Sequence, residues 1–125
     1  MGRSCAVARL WGVGQIDLTL QPVMVHHTIM MAHQWFRYKD RQGEVTVEMV
    51  IWVLPGASAE RPHALKYRLH CGRGRECIVR YDNEAGKGDH RHYGADEEVY
   101  HFETLEKLIA DFREDCGRLA GWRWE

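Results

Sequence analysis

The sequence has no excess of charge of either sign. Seventeen Lys and Arg face 18 Asp and Glu, a formal net charge of -1. No global positive field therefore gathers phosphate, and any nucleic-acid contact must rest on a local basic cluster. No apolar run approaches the roughly 18 residues of a membrane span. The first 25 residues hold Arg3, Arg9 and Asp17 but no continuous apolar core, so a signal peptide is not expected. The four cysteines, Cys5, Cys71, Cys77 and Cys116, form no C-x-x-C pair and no zinc-finger spacing. Cys71, Cys77 and Cys116 fall on apolar faces, which predicts reduced thiols and a cytoplasmic protein. Repeats and low-complexity segments are missing.

A chain of 125 residues that is 45% hydrophobic suffices for one domain with one core. Residues 1–34 have no clear period, because Gly2, Gly12, Gly14 and Pro22 interrupt it. They read as an uncertain N-terminal extension with at most a short strand over Ile16–Leu20. A natural start at Met24, Met30 or Met31 is the expectation. Residues 35–125 carry the domain. Trp35–Lys39 is a candidate strand, and Asp40-Arg41-Gln42-Gly43 is a turn. Glu44–Leu54 is the longest strand, with Val45, Val47, Met49, Ile51 and Val53 on one face. Pro55-Gly56 ends it, and a polar loop follows.

Leu65, Tyr67, Leu69 and Cys71 alternate with Lys66, Arg68 and His70, which predicts a half-buried strand with a basic outer face. Gly72-Arg73-Gly74-Arg75 is a tight turn. Cys77, Val79 and Tyr81 then alternate with Glu76, Ile78, Arg80 and Asp82, completing a hairpin. Val99–Phe102 is a short strand. Leu105, Leu108, Ile109, Phe112 and Cys116 form one helical stripe over about Thr104–Arg118, with Thr104 as cap and Gly117 as an early stop. Trp122 and Trp124 can fold back onto the domain. The predicted architecture is α+β: an antiparallel meander of about four strands with a C-terminal helix on one face, in two layers.

The segment from Arg80 to His92 is the densest in chemistry. Gly86 and Gly88 flank Lys87 and allow backbone N–H groups to approach an anion. Lys87, Arg91 and Arg80 are cationic. His90 and His92 can exchange protons near neutral pH, and Asp82 or Asp89 can orient them. Cleavage of a phosphodiester without metal needs such a set: a base, an acid and a cation for the charged transition state. Lys66 and Arg68, with His70, Arg73 and Arg75, extend a possible basic face toward this loop. Three readings compete with catalysis. The loop can be a solvated turn, a non-enzymatic binding surface, or a metal site built from Asp82, Asp89, His90 and His92. His26-His27, His63 and His70 are weaker candidates. Trp35, Phe36 and Trp52 are expected to pack rather than to stack on bases.

At these residues the chain resembles the TumE-type toxins of bacterial toxin–antitoxin systems. The resemblance runs over residues 35–116. Its carriers are Glu48-Met49-Val50-Ile51-Trp52, Lys66-Tyr67-Arg68-Leu69, the block Tyr81-Asp82-Asn83-Glu84 with Gly86-Lys87-Gly88-Asp89-His90-Arg91-His92-Tyr93, then Glu98, Tyr100, Phe102 and the helix. It implies a prokaryotic toxin paired with a helix-turn-helix antitoxin. The expected activity is a small ribonuclease that needs no cofactor, with RNA as substrate. The alternatives are a binding module and a metal-dependent nuclease.

Overall fold

The computed structural model describes residues 20–25, 28–84 and 86–125, with side chains from residue 32 onward. Seven antiparallel strands follow one another in a simple meander: β1 (Leu20–Val25), β2 (Thr28–Gln42), β3 (Val45–Val53), β4 (Leu65–Arg73), β5 (Glu76–Asp82), β6 (His90–Tyr93) and β7 (Asp96–Val99). A helix, α1 (Leu105–Ala120), closes the order among the described residues. The two-layer α+β architecture is the expected one, but the described residues form a sheet of seven strands rather than about four. The strand expected over Trp35–Lys39 is the middle of a 15-residue strand. β6 and β7 are four residues each, too short and too charged for a period of two to show. Only Val99 of the expected Val99–Phe102 strand is extended in the sheet. Apart from Leu20, the strand expected over Ile16–Leu20 lies outside the described residues.

The core lies between α1 and one face of the sheet. Val45, Val47, Met49 and Ile51 of β3, Tyr67, Leu69 and Cys71 of β4, and Val79 and Tyr81 of β5 meet Leu108, Phe112 and Cys116 of α1. The period of two in the strands and the 3.6-residue period of the helix select these residues, as expected. Thr104 caps the helix, its side chain accepting from Lys107 N–H at 3.0 Å. Gly117 does not end it. The chain continues to Gly121, whose φ of 71° permits a left-handed cap, with Gly121 N–H on Gly117 O and Trp122 N–H on Cys116 O. An interior glycine costs about 1 kcal/mol, and burial of Cys116 and Trp122 on either side of it outweighs that cost. Trp122 is in the core, and Trp124 packs against it.

One expectation about register is corrected. Gly72 pairs with Cys77 and Cys71 with Val79, so Ile78 is an extra residue in a β-bulge. Ile78 therefore joins Val79 in packing against the core, while Cys77 is buried outside that cluster. The bulge brings Gly72 against its neighbours. A Cβ there would lie 2.7 Å from the Glu76 carbonyl oxygen and 2.8 Å from His70 Cε1.

The helix also brings a carboxylate to the sheet. Asp115 is buried, and Oδ2 accepts from both Tyr81 and Tyr93 hydroxyls at 2.6 Å, while Oδ1 accepts from Arg118 at 2.8 Å. Two results are expected in denaturant unfolding. Gly72→Ala must displace backbone as well as the His70 ring and should lower stability by about 1–3 kcal/mol. Asp115→Ala leaves two tyrosine hydroxyls short of an acceptor and should lower it by a comparable amount, about 1–3 kcal/mol. A shift below about 0.5 kcal/mol in either case would contradict the packing described.

Candidate functional site

The face of the sheet opposite α1 carries the polar residues. Antiparallel register lines them up in two rows across successive strands. One row is Lys39, Glu48, His70, Arg80, His92, Glu97; the next is Arg37, Val50, Arg68, Asp82, His90, Val99. Glu48, Arg68, His70, Arg80, Asp82, His90 and His92 are all buried. This corrects the expected basic outer face on β4. Lys66 is half-buried, and Arg68 and His70 are interior residues rather than a solvated surface. Alternating polar positions normally indicate exposure, so the pattern in the sequence pointed the wrong way.

The tightest part of this face is a chain of charge contacts. His90 Nε2 lies 2.7 Å from Asp82 Oδ1, and Arg80 Nε lies 3.1 Å from Asp82 Oδ2. The Arg80 guanidinium reaches His92 Nε2 at 2.8 Å. A guanidinium can only donate, so His92 Nε2 accepts, and that ring is neutral with its proton on Nδ1. Burial, with Arg80 beside it, holds the His92 pKa below its usual value. His90 goes the other way. Burial disfavours its charged form, but the contacts with Asp82 and with the Gly88 carbonyl, which accepts from Nδ1 at 2.9 Å, outweigh it and raise the pKa. The two imidazoles sit edge to face with centroids 5.0 Å apart. Burial also penalises charge on Asp82, but His90 and Arg80 overcome this and hold its pKa below the ordinary carboxylate value.

Glu97, which the sequence did not single out, links this pair to the loop. Its Oε2 lies 3.5 Å from His90 Nε2 and 3.4 Å from Lys87 Nζ. The Lys87 and Glu97 side chains keep 49% and 40% of their exposure, so the cluster reaches solvent at this end. The only signal for Glu97 was its place in the acidic run Asp96-Glu97-Glu98 just past the histidines.

Other candidates lie elsewhere. Asp89 does not face His90 or His92. It accepts from Tyr67 O–H at 2.6 Å and holds His63 Nε2 at 3.1 Å, while His63 Nδ1 accepts from Leu65 N–H. Asp89 and His63 thus fasten the loop before β4 to the loop before β6. Buried Asn83 extends this fastening, accepting from Tyr67 N–H and donating to Leu65 O. Arg91 points to the helix side because neighbours on a strand alternate. It pairs with Glu98 at 2.6 Å, donates to Tyr81 Oη at 3.2 Å and lies against the Tyr81, Tyr93 and Tyr100 rings. Gly86 and Gly88 adopt φ of 84° and 74°. The anion met by the Gly86 N–H is the carboxylate of Glu60.

The atoms that can hold a metal are narrower than the sequence suggested. One ligand atom each from Asp82, His90 and His92 lies within 4.8 Å of the others, and Asp89 is outside the set. Arg80 already contacts two of these residues, so a cation entering here must displace it.

His70 completes the buried face. Burial, reinforced by Arg68 and Arg80, pushes its pKa down to about 3. An unfolded histidine titrates near 6.5, so the unfolded chain takes up this proton first as pH falls. The stability from neutral His70 is therefore complete above about pH 6.5 and is lost progressively toward pH 3. Equilibrium unfolding across this window should show a shallower acid loss in His70→Gln than in the parent. Parallel slopes would contradict the buried neutral ring.

Comparison with known proteins agrees with the resemblance. No curated protein and no solved structure matches the chain. The sequence model described as Toxin TumE matches residues 25–120, most of the chain and all of β2 through α1. The chain therefore belongs to the TumE toxin family, and it is the toxin of a toxin–antitoxin system with an antitoxin as partner.

Proposed function

We propose that this toxin is a ribonuclease that works without metal, using His92 as base and His90 as acid. The observation that carries the reading is the bond between Arg80 and His92, which fixes one imidazole neutral while Asp82 favours the proton on the other. Two neighbouring groups with pKa values pushed apart are what acid–base catalysis requires. Arg80 turns from His92 Nε2 to the scissile phosphate, and this frees the base. The 2′-oxygen attacks phosphorus as its proton passes to His92. The bond from phosphorus to the 5′-oxygen breaks as His90 protonates the leaving oxygen. A 2′,3′-cyclic phosphate and a 5′-hydroxyl result. Lys87, at the solvent-facing end, meets the incoming RNA. Asp82 orients His90.

Arg91 and Asp89 leave the reacting group, because their side chains serve the helix side and the loop fastening. The partner remains a helix-turn-helix antitoxin, and the compartment the cytoplasm, where RNA substrates occur. Deep burial of both histidines favours a second reading, in which the cluster shapes a surface that binds RNA without cutting it.

Purified protein incubated with RNA and EDTA separates the two. Cleavage leaving cyclic phosphate ends is expected, and the His90→Ala/His92→Ala double variant should lose roughly 100-fold or more. Salt-sensitive binding to RNA that stays intact would support the binding module instead. Cleavage that the double variant leaves unchanged would remove this site.

A further inference from the structure

The same cluster brings metal-ligating side chains together. His90 Nε2 and Asp82 Oδ1 approach to 2.7 Å, and both residues are more than nine-tenths buried. A dication that takes the place of the His90 proton would keep Asp82 paired with a positive charge while drawing the two atoms slightly apart. The surrounding chemistry favours that state. The Gly88 carbonyl holds the proton on His90 Nδ1, which makes Nε2 available as the ligating nitrogen. His92 lends Nε2 from the neighbouring position on the same strand face, its proton already on Nδ1. One ligand atom from each of Asp82, His90 and His92 lies within 4.8 Å of the others. Glu97, 3.5 Å from His90 Nε2, stands at the solvent side for a fourth position.

We propose that Asp82, His90 and His92 form a binding site for a borderline transition-metal dication of the Zn²⁺ type, and that its occupancy silences the toxin. Two imidazoles and one carboxylate suit Zn²⁺, Co²⁺ or Ni²⁺ and do not suit Mg²⁺, which takes oxygen ligands. The ion displaces Arg80 from His92 and takes the lone pair that would accept the 2′-hydroxyl proton. The silencing half of the proposal rests on the acid–base reading above; the binding half does not.

The test starts with protein stripped by chelation and dialysed. Calorimetric titration with Zn²⁺ should give one site per chain, and Co²⁺ should develop visible absorption bands of a nitrogen- and oxygen-ligated ion. Mg²⁺ should show no saturable binding. Asp82→Asn, His90→Gln and His92→Gln should each weaken Zn²⁺ binding by at least about tenfold, in keeping with the cost of disturbing a metal's supporting shell. His63→Gln, whose ring lies with Asp89, should not. Circular dichroism checks that the variants are folded, and the conservative changes are chosen to keep them so. Absence of a saturable site, or affinity unchanged in His90→Gln and His92→Gln, overturns the site. RNA cleavage in a metal-free buffer, restored by chelator after one equivalent of Zn²⁺ abolishes it, supports the silencing. Zn²⁺ that binds while leaving cleavage untouched, or that is required for it, overturns the silencing. Failure of cleavage under every condition defeats the catalytic reading, while the calorimetry still decides the site.

Discussion

The register between β5 and β6 is the constraint on which the rest of this molecule depends. It sets Arg80 opposite His92 and Asp82 opposite His90. Directly opposed residues on one face of an antiparallel pair have Cβ atoms about 5 Å apart, so four polar side chains meet without any long loop to assemble them. A slip of one residue would send both histidines to the helix side and Arg91 to the polar face. The core guards against that slip. Tyr81 and Tyr93, on the other face of the same two strands, share one oxygen of Asp115 on α1. The helix thus holds the register from the apolar side, and the register holds the site from the polar side.

The chain places its charges where a solvated sheet face would be expected and then buries them. Such burial is tolerated only when the charges are paired. Arg80 answers Asp82 and His92 together, and Asp82 answers Arg80 and His90. His70 takes the other course and stays neutral between Arg68 and Arg80. The bulge at Ile78 is part of this arrangement. It crowds Gly72, and the His70 ring lies against that glycine, where no side chain could fit.

Much of this was legible in the sequence. The period of two in Val45–Val53 and Leu65–Cys71, and the helical stripe from Leu105 to Cys116, are strong enough to place the core and the two layers. The Arg80–His92 block stood out as the densest in chemistry because unlike functional groups are concentrated there. Three features escaped for physical reasons. β6 and β7 are too short to reveal a period. Burial of Arg68 and His70 depends on tertiary packing, and alternation alone reads them as exposed. Asp89 and Arg91 stand beside the histidines in sequence, yet Asp89 lies in the loop before β6 and Arg91 on its opposite face. Adjacency in a strand is separation in space.

Arg80 decides what chemistry the cluster supports. While its guanidinium rests on His92 and Asp82, the site is electrically self-contained, with the positive charge between a carboxylate and an imidazole lone pair. Any productive event must move that group. A phosphate can do so by offering a better anion, and the freed His92 is then a base beside a bound phosphodiester. A dication can do so by replacing one positive charge with two, and His92 is then a ligand. Both routes begin with displacement of the same side chain and end with different fates for the same lone pair. On the proposed roles, proton transfer and metal binding exclude one another, because His92 Nε2 has one lone pair to give.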